Sequence, residues 1–247
     1  MILVQNWETA RATRKARVTD TFKGHVTDFI AAHEKCTPGA QAFLVEQKPD
    51  WATPPHFHLE PQFQVVTAGS GCIGRNPVAP YAVHYAAAET GYGPITSGPD
   101  GMSYLTLRAQ GDTGAYYLHK PGSRERMRAG LKREQRHGMP ARALGAADIA
   151  AMHGALVEDL IAPRPDGLAA HLVRMGPRQR LDLPAAHAHA GRHHVVTKGG
   201  LRLASHQVTA FAVMFASPDE PCAIEAGAEG VELLVLQFPQ TTLQPET

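Results

Sequence analysis

The chain offers little on which a covalent or long-range electrostatic reading could rest. Its three cysteines, Cys36, Cys72 and Cys222, form no CxxC pair, and an odd count cannot be fully disulfide-bonded within one chain; a reduced, cytoplasmic protein is expected. Charge is nearly balanced, 24 Lys and Arg against 23 Asp and Glu. That balance gives no global reason to expect nucleic acid or an acidic membrane surface as partner. No apolar stretch approaches the roughly 20 residues that span a bilayer. The first residues, MILVQNWE, lack the basic start and long apolar centre of a secretory signal. There is no Ser/His/Asp order, dinucleotide fingerprint or phosphate loop; GSGCIG (residues 69–74) lacks the Lys-Ser/Thr end and reads as a hairpin turn. Long helical periodicity is also scarce.

What the chain has is histidine, fourteen in all, and one pattern that occurs twice. The copies are PPHFHLEPQFQVV (residues 54–66) and PAAHAHAGRHHVV (residues 184–196). Each holds a His-x-His pair followed four residues later by another possible ligand, giving His56, His58 and Gln62, then His187, His189 and His193. Each of the three positions recurs 131 residues on, and glycines (Gly69 and Gly71; Gly199 and Gly200) close each segment. A His-x-His pair alone is weak evidence in a chain this rich in histidine. Coincidence with a wider repeat strengthens it: GPDGMSYLTL (98–107) resembles GAEGVELLVL (227–236) at a shift of 129. A period near 130 fits two copies of a whole domain rather than a solenoid.

Short apolar runs between turn signals, at 42–46, 63–67, 82–85 and 102–108, then 169–175, 194–197, 210–216 and 231–238, predict an all-β sandwich or barrel in each half. The stretch between the halves, PGSRERMRAGLKREQRHG (121–138), is basic and free of interleaved aromatics, so it reads as a solvated linker helix capped by Ser123 rather than a nucleic-acid patch. A second short helix is expected near 146–153. The expected organisation is a first barrel over 1–122, a helical linker over 123–153 and a second barrel over 154–247.

In a strand, residues i and i+2 share a face. His56 and His58 therefore converge, as do His187 and His189, and the returning strand offers Gln62 or His193 to the same side, with Gln64 beside Gln62. Three ligands from two adjacent strands leave open coordination positions, the arrangement of a catalytic rather than a sealed metal site. With this pattern the chain resembles the cupins, and specifically the two-barrel bicupins: a glycine-bounded His-x-His motif is matched by His56, His58 and Gly69, then by His187, His189 and Gly199 or Gly200. The resemblance covers roughly residues 20–120 and 155–240. It departs from the family pattern where the usual Glu has become Gln62 or His193, and where GYGPI (91–95) and EPCAI (220–224) carry no histidine as fourth ligand. It implies two tandem double-stranded β-helix (jelly-roll) barrels, each with a potential mononuclear divalent metal site, and a homodimer. The metal, Fe, Zn, Ni or Mn, is not set by the residues, though three neutral ligands leave its full charge and favour an anionic co-ligand.

Around the first set, His84 is either a fourth ligand or a surface strand residue, and Tyr92 either positions substrate or packs. Tyr104, Thr106 and Arg108 share one strand face; facing inward, Arg108 would clamp a carboxylate with its planar fork. His194 should face away from His193. The function this implies is a metal-dependent oxygenase acting on a small organic anion. The alternatives are a small-molecule-binding or sensing bicupin, and a metal-dependent isomerase or lyase. Elemental analysis of metal-stripped, reconstituted protein tests the set. Loss of metal in either His56→Ala/His58→Ala or His187→Ala/His189→Ala identifies the working barrel, and absence of stoichiometric metal in wild type leaves the ligand-binding reading.

Overall fold

The computed structural model describes residues 1–112, 114–182, 189–220 and 223–240. The chain divides into two compact units, Trp7–Pro140 and Ala141–Thr247 together with Met1–Asn6. The first six residues thus belong with the second unit rather than the first barrel: the strand Ile2–Gln5 pairs antiparallel with Val213–Ala216, and the Met1 amine meets Ser217 and Glu220.

In the first unit one sheet runs in the order Gln135–Gly138, Val83–Ala86, Gln62–Ile73, Ile95–Arg108, Gln41–Gln47, Lys23–Ile30, Lys15–Val18. The 14-residue strand Ile95–Arg108 rolls it up. Its length pairs with Gln62–Ile73, its start with Ala52–Thr53 and its end with Gln41–Gln47, and a bulge between Ser97 and Met102 separates the two parts. The second unit repeats the device. There Ala223–Pro239 pairs with His189–Leu203 along its length, with Arg180–Asp182 at its start and with Ala169–Met175 further on. All eight expected apolar runs lie on or overlap these strands.

The expected linker helix is not formed. Its place holds a 3-10 turn, Arg124–Arg126, and the strand Gln135–Gly138, which extends the first sheet beside Val83–Ala86. Gly122 and Gly130, both at positive φ, interrupt any helix across this stretch. A helix does form at Ala146–Ala150, where Asp148 accepts a hydrogen bond from the Gly145 N–H. No helix among the described residues is long and apolar enough to cross a membrane.

Each unit buries its own apolar cluster. Val26, Phe43, Val45, Val66 and Tyr104 belong to the first, and Val173, Val196, Met214, Leu233 and Val235 to the second. Both depend on a glycine at the bulge. Gly69 (φ 71°) and Gly199 (φ 67°) occupy the left-handed region, and a Cβ there would lie 2.2 Å from the Gly101 carbonyl oxygen or 2.1 Å from that of Gly230. Gly69→Ala and Gly199→Ala should therefore each lower stability by on the order of 1–3 kcal/mol, read as a drop in the urea midpoint at unchanged slope. Gly154→Ala, where a Cβ meets nothing within 4 Å, should stay within about 0.5 kcal/mol of wild type. Equal effects at the three positions would refute this account of the bulge.

Candidate functional site

The first barrel encloses a cavity of about 360 Å³. The register shows how the strands aim side chains into it. Thr106 pairs with Gln64 on one side and Phe43 on the other, Tyr104 with Val66 and Val45, and Arg108 with Gln41. The alternating face expected for Tyr104, Thr106 and Arg108 is the inner one, and all three line the cavity with His56, His58, Gln62, Gln64 and Tyr92. His84 shares the inner face, opposite Gln64, but sits behind it: its Nδ1 lies 2.8 Å from Gln64 Oε1, and its ring stacks on His137 at 4.6 Å.

The polar end is one directed chain of hydrogen bonds. Arg108, 1% exposed, donates from Nε and Nη2 to Gln62 Oε1 (3.2 and 2.8 Å) and from Nη1 to Gln41 Oε1 (2.5 Å). With its oxygen so placed, Gln62 donates its amide to the Tyr92 hydroxyl (2.5 Å). Tyr92 Oη lies 2.9 Å from His56 Nε2, and His56 Nδ1 lies 2.8 Å from the Pro54 carbonyl oxygen. An imidazole that gives its Nδ1 proton to the carbonyl accepts the phenol proton at Nε2. His58 Nδ1 stands 3.0 Å from both Asp112 Oδ2 and Arg108 Nη2. One ring nitrogen serves one of them at a time: protonated, it donates to the carboxylate; unprotonated, it accepts from the guanidinium. Asp112 also accepts from the Leu59 N–H (3.1 Å).

Burial dominates the electrostatics. It pulls His56 down to about 3, reinforced by His58, and His58 down to about 4, reinforced by the Arg108 charge and opposed by Asp112. His84 falls to about 3 for the same first reason. Tyr92 and Tyr104 are pushed up by burial, and Glu60 is raised by burial and by Asp112. The three imidazoles and the two phenols are neutral near pH 7, and Glu60 lies off the cavity wall.

His56, His58 and Gln62 do come together, and a His56 anchored at Nδ1 is posed as a ligand imidazole would be. As a set, however, they do not fit a divalent ion. The Gln62 oxygen is taken by Arg108, the His56 Nε2 lone pair by Tyr92, and a fixed guanidinium stands within 3.0 Å of His58. The Asp112 carboxylate beside His58 is bonded to that ring and to the Leu59 N–H, and no group of three His, Cys, Asp or Glu among the described residues is placed to hold a metal.

In the second barrel His187 lies outside the described residues. His189 accepts the Gly191 N–H at its Nδ1 (2.9 Å). The third position is corrected by the register. Val196 pairs with Leu233 as Val66 pairs with Tyr104, and His194 with Met214 and Val235 as Gln64 with His84 and Thr106. Two residues back, the counterpart of Gln62 is Arg192, paired with Gln237. His194 shares the face of Val196 and Val235, while His193 points to the other side, against Phe215 and Phe238. Three residues, not four, separate His189 from the inward position, and a one-residue slip reverses every face.

Asp112, Gln41 and Tyr117 were not visible as site residues. Asp112 lies in a loop, and Tyr117 reaches the cavity because Tyr116–Tyr117 pairs with His56–Phe57. His33 hydrogen-bonds Asp28 at 2.8 Å and lines the cavity beside Arg17 and Glu34. The inner alternation of Gln41 with Phe43 and Val45 was the one signal present for Gln41.

No protein-family model and no curated protein matches the sequence. Solved structures do. A candidate dioxygenase from Nostoc punctiforme superposes with a TM-score of 0.63 at 12% identity, over 98% of this chain and 84% of that one. Oxalate decarboxylase from Lactobacillus farciminis, in complex with formate, gives 0.58 at 14% over 96% and 86%. The Bacillus subtilis oxalate decarboxylase studied for its Mn(II) centres gives 0.57 at 12% over 96% and 77%. At such identities the likeness is one of fold, and the fold is that of two cupin barrels in one chain.

The depressed histidines make stability depend on pH. His56, His58, His84 and His194 are held at about 3, 4, 3 and 3, the last by burial and then Arg192. Unfolded, they titrate near 6.5. Between roughly pH 6.5 and 4 the unfolded chain binds more protons, so stability is full above the unfolded value and is lost as pH falls, by up to about 1.4 kcal/mol per pH unit for each histidine. Urea midpoints at pH 7, 6 and 5 should fall progressively, and less steeply in His194→Gln. A flat profile would contradict the burial of these rings as neutral species.

Proposed function

We propose that this two-barrel cupin chain binds a small organic anion in its first barrel, with Arg108 receiving the carboxylate, and that it does so as a binding or sensing module. The observation that carries the reading is Arg108 itself. On the buried part of the cavity wall it is the one Lys, Arg, Asp or Glu among the described residues; its guanidinium bonds the amide oxygens of Gln62 and Gln41 and stands beside His58, with the Asp112 carboxylate close enough to act on its charge. Asp112 lies off the wall, hydrogen-bonded to Leu59 and beside His58. A ligand carboxylate that replaces Gln62 Oε1 exchanges a neutral acceptor for a charged one, and such charge-assisted bonds are roughly twice as strong. The groups facing the cavity favour recognition over proton transfer, because a general acid or base works best near the operating pH and burial holds His56, His58 and Tyr92 far from it.

A metal-dependent oxygenase, isomerase or lyase acting on the same anion is the second reading. It is favoured by the Nδ1 anchoring of His56 and by the dioxygenase and Mn(II) descriptions of proteins sharing the fold. It requires Arg108 to release Gln62. Thermal shifts with benzoate and with its neutral isostere benzamide test the proposal. Benzoate should raise the melting temperature with ligand concentration, as mass action demands. Benzamide should act far more weakly, and Arg108→Met, with Arg108→Lys as a fallback if it does not fold, should abolish the difference. Equal response to acid and amide would sink the anion reading. Stoichiometric Fe, Mn, Ni or Zn in purified protein, with ligand-dependent O₂ uptake, would establish the second.

A further inference from the structure

His56, His58 and Tyr92 are held by burial far from the pH at which they would exchange protons, but His33 on the same cavity wall is built differently. His33, 7% exposed, is fixed to Asp28 twice: its Nδ1 lies 2.8 Å from Asp28 Oδ1, and its backbone N–H donates to the same oxygen (2.9 Å). Asp28 stands behind the wall, paired in register with Phe43, and is not itself part of the lining. Burial presses its carboxyl upward, but the bonds from His33 outweigh that and hold it below the ordinary carboxylate value. The pair is a carboxylate and an imidazole that gives it the Nδ1 proton, which leaves the lone pair on Nε2. That lone pair faces a cation, with Arg17 Nη1 3.0 Å away. Arg17 stands on the exposed edge strand Lys15–Val18, its side chain 42% exposed. Glu34 lies 3.6 Å from the same Nε2, its other oxygen bonded by Lys15 at 3.1 Å. At His58 the comparable arrangement is spoiled, because Asp112 and Arg108 contest one ring nitrogen.

We propose that His33 is a general base toward a carbon acid, a 2-oxo carboxylate, with Asp28 orienting the ring and Arg17 receiving the substrate's carboxylate. Such a substrate enters between Nε2 and the guanidinium. It gives Arg17 a charged acceptor in place of a neutral one and sets a C–H bond of the carbon beside the ketone against the nitrogen. That C–H bond breaks and the proton goes to Nε2. Its electron pair forms the carbon–carbon double bond of an enolate, as the ketone's π pair moves onto oxygen. Arg17 lies beside the oxygen charge that develops, and Asp28 stabilises the imidazolium, as a buried carboxylate on Nδ1 does. Return of a proton from Nε2 to carbon restores the 2-oxo acid, so the step consumes no oxidant or reductant. Arg108 takes no part in it, and the proposal goes beyond the anion reading and is tested apart from it.

The test is solvent deuterium wash-in at the methylene of 2-oxobutanoate, followed by proton NMR in deuterium oxide with the full-length protein. Wild type should exchange these protons faster than buffer alone, at a rate that saturates with 2-oxobutanoate. His33→Gln should lower kcat for exchange by about 10²–10⁴-fold, the usual worth of a positioned base. Asp28→Asn, which leaves a neutral partner on Nδ1, should lower kcat by roughly tenfold or more. Arg17→Met should chiefly raise KM. His153→Gln, exposed in the second unit, should change nothing. If His33→Gln does not fold, the other two decide: kcat must fall in Asp28→Asn and KM must rise in Arg17→Met, and exchange unchanged in both overturns the proposal. Exchange no faster than buffer, or equal in wild type and His33→Gln, overturns it as well, and either result leaves the benzoate response at Arg108 untouched.

Discussion

The polar half of the first barrel is organised by the burial of one guanidinium. Arginine cannot escape burial by losing its proton, so at 1% exposure its charge has to be met by oxygen. The chain meets it chiefly with amides, Gln62 across one strand pair and Gln41 across the other. Everything downstream follows from which end of Gln62 faces Arg108. With Oε1 fixed there, Nε2 is turned to Tyr92, the phenol donates onward to His56, and His56 donates to Pro54. Each polar atom is used in one direction, as buried networks demand. The same chain consumes the atoms a divalent ion would have needed. The histidine pattern of a metal site is thus kept while its donors serve another cation, one that belongs to the protein.

The second barrel holds the same pair in reverse. Where the first has Gln62 opposite the Arg108 position, the second has Arg192 opposite Gln237, in the same register and on the face that carries Val196 and Val235. The details then diverge: Arg192 donates to the Glu220 carbonyl oxygen (2.8 Å) and Gln237 to that of Gly167 (2.5 Å), rather than to each other. A repeated fold therefore preserves the place of a buried arginine–glutamine couple without preserving its connections. Equivalence in the two barrels lies in position and face, not in chemistry.

Much of the fold was legible because strand periodicity and glycine positions are local properties. Both copies of the bulge carry their glycine, and every apolar run became or joined a strand. The His-x-His motif placed His56 and His58 on one cavity, and alternation alone put Tyr104, Thr106 and Arg108 inward. What failed was counting across a turn. His193 repeats the spacing of Gln62 in sequence, yet the second copy reaches its inner face one residue sooner, and with a period of two that error exchanges inside for outside. The segment 121–138 failed for a related reason: its charges suggested a helix, but four of its residues, Gln135–Gly138, supply an edge strand whose partner is distant in sequence. Asp112 was invisible because a loop residue's contacts are set by where the loop lands, not by any pattern in it.

Burial also sorts what such a cavity can do. It removes His56, His58 and Tyr92 from the range where they would exchange protons at neutral pH, and so weakens any acid–base chemistry they could offer. The low effective dielectric that does this strengthens the one charge left on the buried wall, since a charge interacts more strongly where water is excluded. An ordinary exposed arginine discriminates poorly between ligands because solvent screens it. Arg108 is held among the amide oxygens of Gln62 and Gln41 with the Asp112 carboxylate close by, so its charge is oriented by the protein rather than screened by solvent.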